Sequence, residues 1–303
     1  MTASENRPET PPEPEKPAEP EPETVPETVP ETVAETVAET PVALAHRGFC
    51  RDGAENTLDA FRAARDLGYE WIETDVNTTR DGVVLSFHDG TLDRVTDASG
   101  SVSELTWSEI CHERVAGAGG IPRLADLLTE FPELKFNIDV KDEASVAALP
   151  DLLHEHAAAH RVRVTSFSES RRRRTLRRLR ELTGAPVPTS CGKEGMRLLL
   201  VCSWLGGPSW RLVRRVAGRW IEPFDTVQIP RRYRVRGGLE VELVTRRFLD
   251  FAHRHGIAVH VWTVNETEEM AELLELGVDG IVTDRADRLA ELLARRGQWP
   301  PGV

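Results

Sequence analysis

Seven side chains able to do chemistry recur near the ends of short apolar runs in this sequence. The run "VALA" (42–45) leads into His46-Arg47-Gly48, and "WIETDVN" (71–77) carries Glu73 and Asp75. "VVLSFHD" (83–89) carries His88, and "KFNIDVK" (135–141) carries Asp139 and Lys141. Side chains alternate along a strand, so residues two apart share a face. Ile72, Thr74 and Val76 thus oppose Trp71, Glu73, Asp75 and Asn77, while Phe136, Ile138 and Val140 oppose Asn137, Asp139 and Lys141. Each polar residue alone has an ordinary reading: a hydrogen-bonded structural histidine, or a buried Asp139–Lys141 ion pair. Buried charge is costly even when paired, so several strands with the same polar arrangement point to one shared site.

Three carboxylates, with no Cys or His among them, suit a hard divalent cation such as Mg²⁺ or Ca²⁺ rather than zinc. Two imidazoles outside that ligand set are suited to act as general base and general acid near neutral pH. Arg47 offers a planar fork that matches phosphate oxygens, and Lys141 adds a point charge. Together these groups describe phosphodiester cleavage: one His activates the nucleophile, the other protonates the leaving alkoxide, and positive charge stabilises the phosphoryl oxygens.

The elements that must position these groups alternate β and α from residue 42 onward. Further candidate strands are "RVTSF" (163–167), "VPTS" (187–190), "DTVQIP" (225–230), "AVHVWTVN" (258–265) and "GIVTD" (280–284). Between the runs stand helix patterns such as "NTLDAFRAARDLG", "RLADLLTEF", "VAALPDLLHEHAAA", "RRFLDFAHRHG" and "EEMAELLELG", several ending in Gly. Alternation over this length predicts a parallel sheet covered by helices. The charged inner faces favour a closed cylinder over an open doubly wound sheet, because a barrel's inward residues at the strand C-termini are where catalysis resides. The expected fold is therefore α/β, a single (β/α)8 TIM-type barrel over 41–300. Nine candidate strands stand where eight are needed, and either 187–190 or 225–230 is the one expected to fall outside.

At this point the chain resembles the glycerophosphodiester phosphodiesterases, through an ordered string of motifs between about 43 and 289. These are "AHRG", "ENTLDAF", "GYEWIETDVNTTRDGVVLSFHDGTLDRVT", "IPRLADLL", "NIDVK", "TSF", "HVWTVN" and "GVDGIVTD". The resemblance implies a TIM-type barrel that hydrolyses glycerophosphodiesters to sn-glycerol 3-phosphate and an alcohol. It implies His46 and His88 as the acid/base pair, Arg47 and Lys141 on the phosphate, and Glu73, Asp75 and Asp139 on the metal. Trp262 would border the pocket. Asp139 stands where the family usually has Glu, Ala54 where it usually has Pro, and Cys50 lies beside the site. Related sphingomyelinase D-like barrels look like they use Asp-x-Lys at this place, which keeps a lysophospholipase D reading open beside the first. No long insertion follows "FHD", so no large capping subdomain is expected. The rival of another class is a non-catalytic barrel scaffold with a partner-recruiting tail. Retention of both His and all three acids argues against it.

Composition places the rest. The 303 residues carry a net charge of −12, but residues 1–40 hold 11 Glu against Arg7 and Lys16, leaving 39 acidic and 36 basic residues beyond them. The repeated "PETV" of that segment buries too little apolar surface to fold, so a disordered acidic arm is expected. Cys50, Cys111, Cys191 and Cys202 show no framework spacing, and no apolar leader follows Met1. A cytoplasmic protein is the expectation. "LLLVCSWLG" (198–206) is far shorter than the ~20 residues of a membrane span. The basic run "RRRRTLRRLR" (171–180) has leucines at helical spacing and no interleaved aromatics. It reads as the solvated face of an outer barrel helix rather than a nucleic-acid surface, and transient contact with a membrane is its lesser reading. "GAGG" (117–120) reads as a turn. The partner expected is a small-molecule substrate.

Overall fold

The computed structural model describes residues 40–50, 53–218, 220–234 and 238–300. The acidic arm predicted for 1–40 therefore lies, except for Thr40, outside the described residues. Seven parallel strands form the main sheet: β1 (Val42–His46), β2 (Trp71–Thr78), β6 (Lys135–Val140), β7 (Val162–Thr165), β8 (Thr226–Ile229), β11 (Ala258–Val261) and β12 (Gly280–Thr283). Off this ring, β3 (Val84–Ser86) pairs with β2, β4 (Arg114–Val115) with β5 (Gly119–Gly120), and β9 (Arg232–Arg234) with β10 (Glu240–Glu242), all antiparallel. The helices are α1 (Leu58–Asp66), α2 (Trp107–Ile110), α3 (Leu124–Glu130), α4 (Ser145–Glu155) and α5 (Glu169–Thr183). They continue as α6 (Lys193–Leu205), α7 (Gly207–Ala217), α8 (Arg246–Arg254), α9 (Thr267–Leu276) and α10 (Ala286–Arg295).

Strand order β7-β6-β2-β1-β12-β11-β8 leaves β7 and β8 at the two ends. Parallel bridges from Val164 to Thr189 and from Ser190 to Thr226 join those ends and close the cylinder. So both doubtful runs belong to the barrel. The 187–190 stave is reduced to two bridges because Pro186 and Pro188 flank Val187 and have no N–H to give to a ladder. The supernumerary run is instead 83–89. Asp81-Gly82 sits between two apolar runs, a hairpin signal, with Thr79 N bonded to Val83 O at 3.0 Å and Gly82 at φ 86°. β3 therefore folds back antiparallel on β2, Val76 facing Ser86, and His88 lies in the loop beyond rather than on a stave.

The outward faces behave as the alternation predicts. Ile72, Val76, Phe136, Ile138 and Val140 are buried in the core between ring and helices, together with Phe61 of α1 and Phe131 after α3. Burying each such side chain is worth about 1.5–3 kcal/mol. A second, smaller core of Leu85, Phe87, Leu92, Val102, Ile110, Val115 and Ile121 lies under the β3 excursion and anchors the His88 loop. The "GAGG" segment forms the tight β4–β5 turn, where a Cβ on Gly119 would stand 2.7 Å from the Thr57 side chain.

Candidate active site

The ring's C-terminal end opens into a cavity of about 540 Å³. His46, Arg47, Glu73, Asp75, His88, Asp139, Lys141 and Trp262 all line it, so every site residue read from the sequence arrives at one place. The turn after β1 achieves this with unusual backbone: Arg47 has φ 55° and Gly48 φ 84°. A Cβ on Gly48 would meet the Ala60 carbonyl carbon at 2.7 Å, so glycine is what lets α1 pack against the strand end. Asn56, also at positive φ, and Thr57, whose hydroxyl caps α1 at Ala60 N, complete the corner. Asn56 Nδ2 donates to Asp75 Oδ2 at 3.2 Å, linking that corner to the carboxylates.

Both imidazoles are oriented through Nδ1. His46 Nδ1 is 2.6 Å from Asp284 Oδ1, and His88 Nδ1 bonds to Asp89. Burial works against ionisation of both aspartates, yet the His46 bond holds Asp284, and Arg94 with His88 holds Asp89, below the usual carboxylate range. Ionised carboxylates accept, so Nδ1 donates in both cases and Nε2 is left for chemistry. For His46, burial lowers the pKa, but the Asp284 bond and the charge of Glu73, 3.8 Å from Nε2, outweigh it and the net direction is upward.

The partners were the part that sequence reasoning missed. Asp284 closes "GIVTD" and is steadied by Asn265 of "HVWTVN", which donates to Asp284 Oδ2 at 2.8 Å and accepts from Asp284 N at 3.0 Å. Asn77 Nδ2 donates to the carbonyls of Phe87, His88 and Asp89 at 2.9, 3.1 and 3.1 Å, clamping the His88 loop to β2. A chain of ion pairs then runs round the rim: Arg47 to Glu55 at 2.8 Å, Glu55 to Arg94 at 2.5 Å, and Arg94 to Asp89. A signal for Asp89 is present in "FHD", where it follows His88, whereas Glu55 of "ENT" meets Arg47 only in the folded chain.

Lys141 is not free to face a ligand alone. Its Nζ lies 2.8 Å from Asp75 Oδ1 and 2.6 Å from Asp139 Oδ2, and Arg47 Nε is 3.0 Å from Asp75 Oδ2, too bent for a hydrogen bond. Among the described residues no three acidic, imidazole or thiol groups stand grouped about a common ion position. Two features still fit a divalent cation. Buried Asp139 Oδ1 has no hydrogen-bond partner. Burial, then the charge of Asp75, pushes Glu73 well above the usual carboxylate range, and Asp139 is displaced upward by the same two causes. Asp75 goes the other way, since Lys141 and Arg47 outweigh its burial. An excess of buried oxygen donors is what a hard cation relieves.

Deeper in the ring, Gln228 donates to Asn137 at 2.9 Å, and buried Arg163 pairs with Asp225 at 2.5 Å. His260 sits there with both ring nitrogens unbonded, and burial with the Arg163 charge pulls it down to about 3, so it stays neutral. The opposite wall of the cavity is apolar: Phe167, edge-on to Trp262 at 5.8 Å, with Met196, Leu200, Tyr233 and Leu243. Phe167 and Trp262 follow β7 and β11, whereas Met196 and Leu200 come from α6, Tyr233 from β9 and Leu243 from just after β10. Neither α6 nor the β9–β10 hairpin was announced by the sequence patterns.

The sequence model of the glycerophosphoryl diester phosphodiesterase family matches residues 46–191 and 206–288. The chain is 38% identical over 261 residues to probable glycerophosphodiester phosphodiesterase 2 of Mycobacterium tuberculosis, covering 85% of this chain and 92% of that one. It is 25% identical over 272 residues to lysophospholipase D GDPD1 of Rattus norvegicus, covering 82% and 85%. The fold superposes with a TM-score of 0.62 on an Oleispira antarctica phosphodiesterase solved with its product sn-glycerol-3-phosphate. That pair is 18% identical and covers 84% of this chain and 97% of the other. With the motifs, the cylinder and these likenesses in agreement, the chain belongs to the glycerophosphoryl diester phosphodiesterase family.

Proposed function

We propose that this protein hydrolyses glycerophosphodiesters to sn-glycerol 3-phosphate and an alcohol. The observation that carries this is the pair of imidazoles, each fixed through Nδ1 by an ionised aspartate and each lining the cavity that holds Arg47 and three carboxylates. The nucleophile, water or the substrate's own 2-hydroxyl, gives its proton to Nε2 of one His. Its oxygen bonds to phosphorus, the bond to the alcohol oxygen breaks, and the other His gives a proton to that oxygen. Attack by water yields sn-glycerol 3-phosphate directly, whereas attack by the 2-hydroxyl yields a cyclic phosphate that water opens in a second displacement. Arg47, held by Glu55 and Asp75, supplies a preset positive charge as charge grows on the phosphoryl oxygens. Members of the family generally depend on a divalent cation. Glu73, Asp75 and Asp139 are the donors we assign to it, with Mg²⁺ or Ca²⁺ as candidates, and when bound it would add positive charge beside the phosphate. Lys141, now spanning Asp75 and Asp139, would turn to the phosphate once those acids are otherwise neutralised.

Turnover of glycerophosphocholine with either cation, lost with EDTA and lost in His46→Ala, is the expected result. An inactive wild type would leave the scaffold reading standing. The apolar wall of Phe167, Met196, Leu200 and Leu243 favours a second reading, a lysophospholipase D acting on a larger amphiphile. A parallel assay with lysophosphatidylcholine separates the two. Among the described residues no helix is long and apolar enough to cross a membrane. Cys111, Cys191 and Cys202 are free thiols, which suits the cytoplasmic setting we assign. We assign the barrel to 41–300 and a spacer role to the acidic arm.

A further inference from the structure

Every exposed large apolar side chain among the described residues lies at Phe167 or between Val201 and Val241. The densest group is on α6, α7 and the turn after them. Val201, Trp204 and Leu205 share one face of α6, with Trp204 68% and Leu205 70% exposed. Leu212 (62% exposed), Val216 and Trp220 follow four residues apart on α7 and just beyond it. Met196, Arg197 and Leu200 lie on the neighbouring strip of α6, Arg197 and Leu200 one turn before Val201 and Trp204, and line the catalytic cavity, so this surface adjoins the cavity wall. The family's sequence model passes over 192–205, where α6 lies, and resumes at 206, so α7 falls within the matched residues.

Charge decides what fits there. Between Lys193 and Ala217 stand Lys193, Arg197, Arg211, Arg214 and Arg215 against Glu194 alone. None of those four arginines has an ion-pair partner among the described residues, whereas the basic run on α5 is largely neutralised. Arg172 pairs with Glu169 at 2.5 Å, Arg174 with Glu143 at 2.5 Å, Arg178 with Asp151 at 2.6 Å and Arg180 with Glu222 at 2.6 Å. A cluster of unpaired positive charge thus lies on α6 and α7, interleaved with exposed Trp and Leu. Arg247 of α8 adds its guanidinium over the Trp204 ring at 4.5 Å. We propose that the α6–α7 face docks on the surface of an anionic phospholipid bilayer, Trp204, Leu205 and Leu212 entering the headgroup boundary and the arginines meeting lipid phosphates. That is the composition of an interfacial amphipathic surface, with tryptophan at the boundary and arginine stems reaching past it. A second copy of the chain fits worse, because a two-fold contact would set the same unpaired arginines against each other.

The test is sedimentation of the full chain with vesicles of phosphatidylglycerol and phosphatidylcholine, against phosphatidylcholine alone, at about 0.1 M salt. Binding to the anionic vesicles at least ~10-fold tighter than to the neutral ones is expected. Trp204→Ala/Leu205→Ala/Leu212→Ala, residues outside the cavity lining, should weaken it ~10-fold or more with an unchanged thermal midpoint. Arg211→Glu/Arg214→Glu/Arg215→Glu should abolish the preference for anionic lipid, and serves if the first variant folds poorly. Wild type that stays in the supernatant with the anionic vesicles overturns the proposal. So do variants that pellet like wild type, or binding only to an acidic protein or to a second copy.

Discussion

Replacing Asp284 by Asn keeps the size of the side chain and removes the charge that holds His46. A hydrogen bond to a charged group is worth about 1.5–3 kcal/mol. Asp284 is half-exposed, and solvent screening puts its contribution at the low end, about 1.5 kcal/mol. Losing that contribution leaves burial less opposed, so the pKa of His46 should fall. The sign follows from the balance of forces: burial lowers His46, and the Asp284 bond with the Glu73 charge raises it. With the bond gone, the limb of the kcat/KM profile governed by His46 moves towards acid, and losing about 1.5 kcal/mol from the transition state lowers the plateau rate about tenfold. The assay is release of sn-glycerol 3-phosphate from glycerophosphocholine across the pH range in which histidine titrates. Movement of the acidic limb makes His46 the base, and movement of the alkaline limb makes it the acid. A profile with both limbs unmoved would refute the coupling.

His88→Ala should lower kcat by roughly 10²–10⁴-fold, the usual cost of a lost acid/base group, and a near-wild-type rate removes His88 from the chemistry. A divalent cation at ~100 times its Kd should add about 2.7 kcal/mol of stability. Calorimetry should show a raised Tm, with Asp139→Ala losing most of the rise; an equal rise in that variant takes Asp139 out of the ligand set. Arg172→Met leaves Glu169 buried without its partner, a change that costs about 3–5 kcal/mol. Urea unfolding that shows less than about 1 kcal/mol would contradict that reading. His253, bonded to Asp279 at 2.7 Å, is raised by that bond from 6.5. Its stabilisation is therefore full below about pH 6.5 and fades as pH rises through the raised value. His253→Gln should accordingly cost more stability at pH ~5.5 than at pH ~8.5, and equal costs would show that the pair does not titrate on unfolding.

Residues that mark the site by their own chemistry were legible one by one. Glu73, Asp75 and Asp139 announce themselves as charges on strands whose alternate residues are apolar, and His46 and His88 end or follow such runs. Asp284 announces nothing: it reads as a polar strand end until the ring brings it across 238 residues to His46. The β3 excursion was misplaced because strand pattern alone does not say parallel or antiparallel. The Asp81-Gly82 turn did say so, through the backbone it favours. α6 and α7 escaped notice because exposed Trp, Leu and Val break the rule that apolar residues mark the inner face.

By itself the sequence determined the strands, the faces of those strands and the identity of the reactive groups. These depend on alternation and side-chain chemistry, which act over a few residues. Tertiary structure alone decided which carboxylate holds which imidazole, that Lys141 spans two acids, that prolines thin one stave to two bridges, and that unpaired positive charge gathers on α6 and α7. Those outcomes arise when the cylinder closes and sets distant chain segments at hydrogen-bonding distance, a relation that no local pattern encodes.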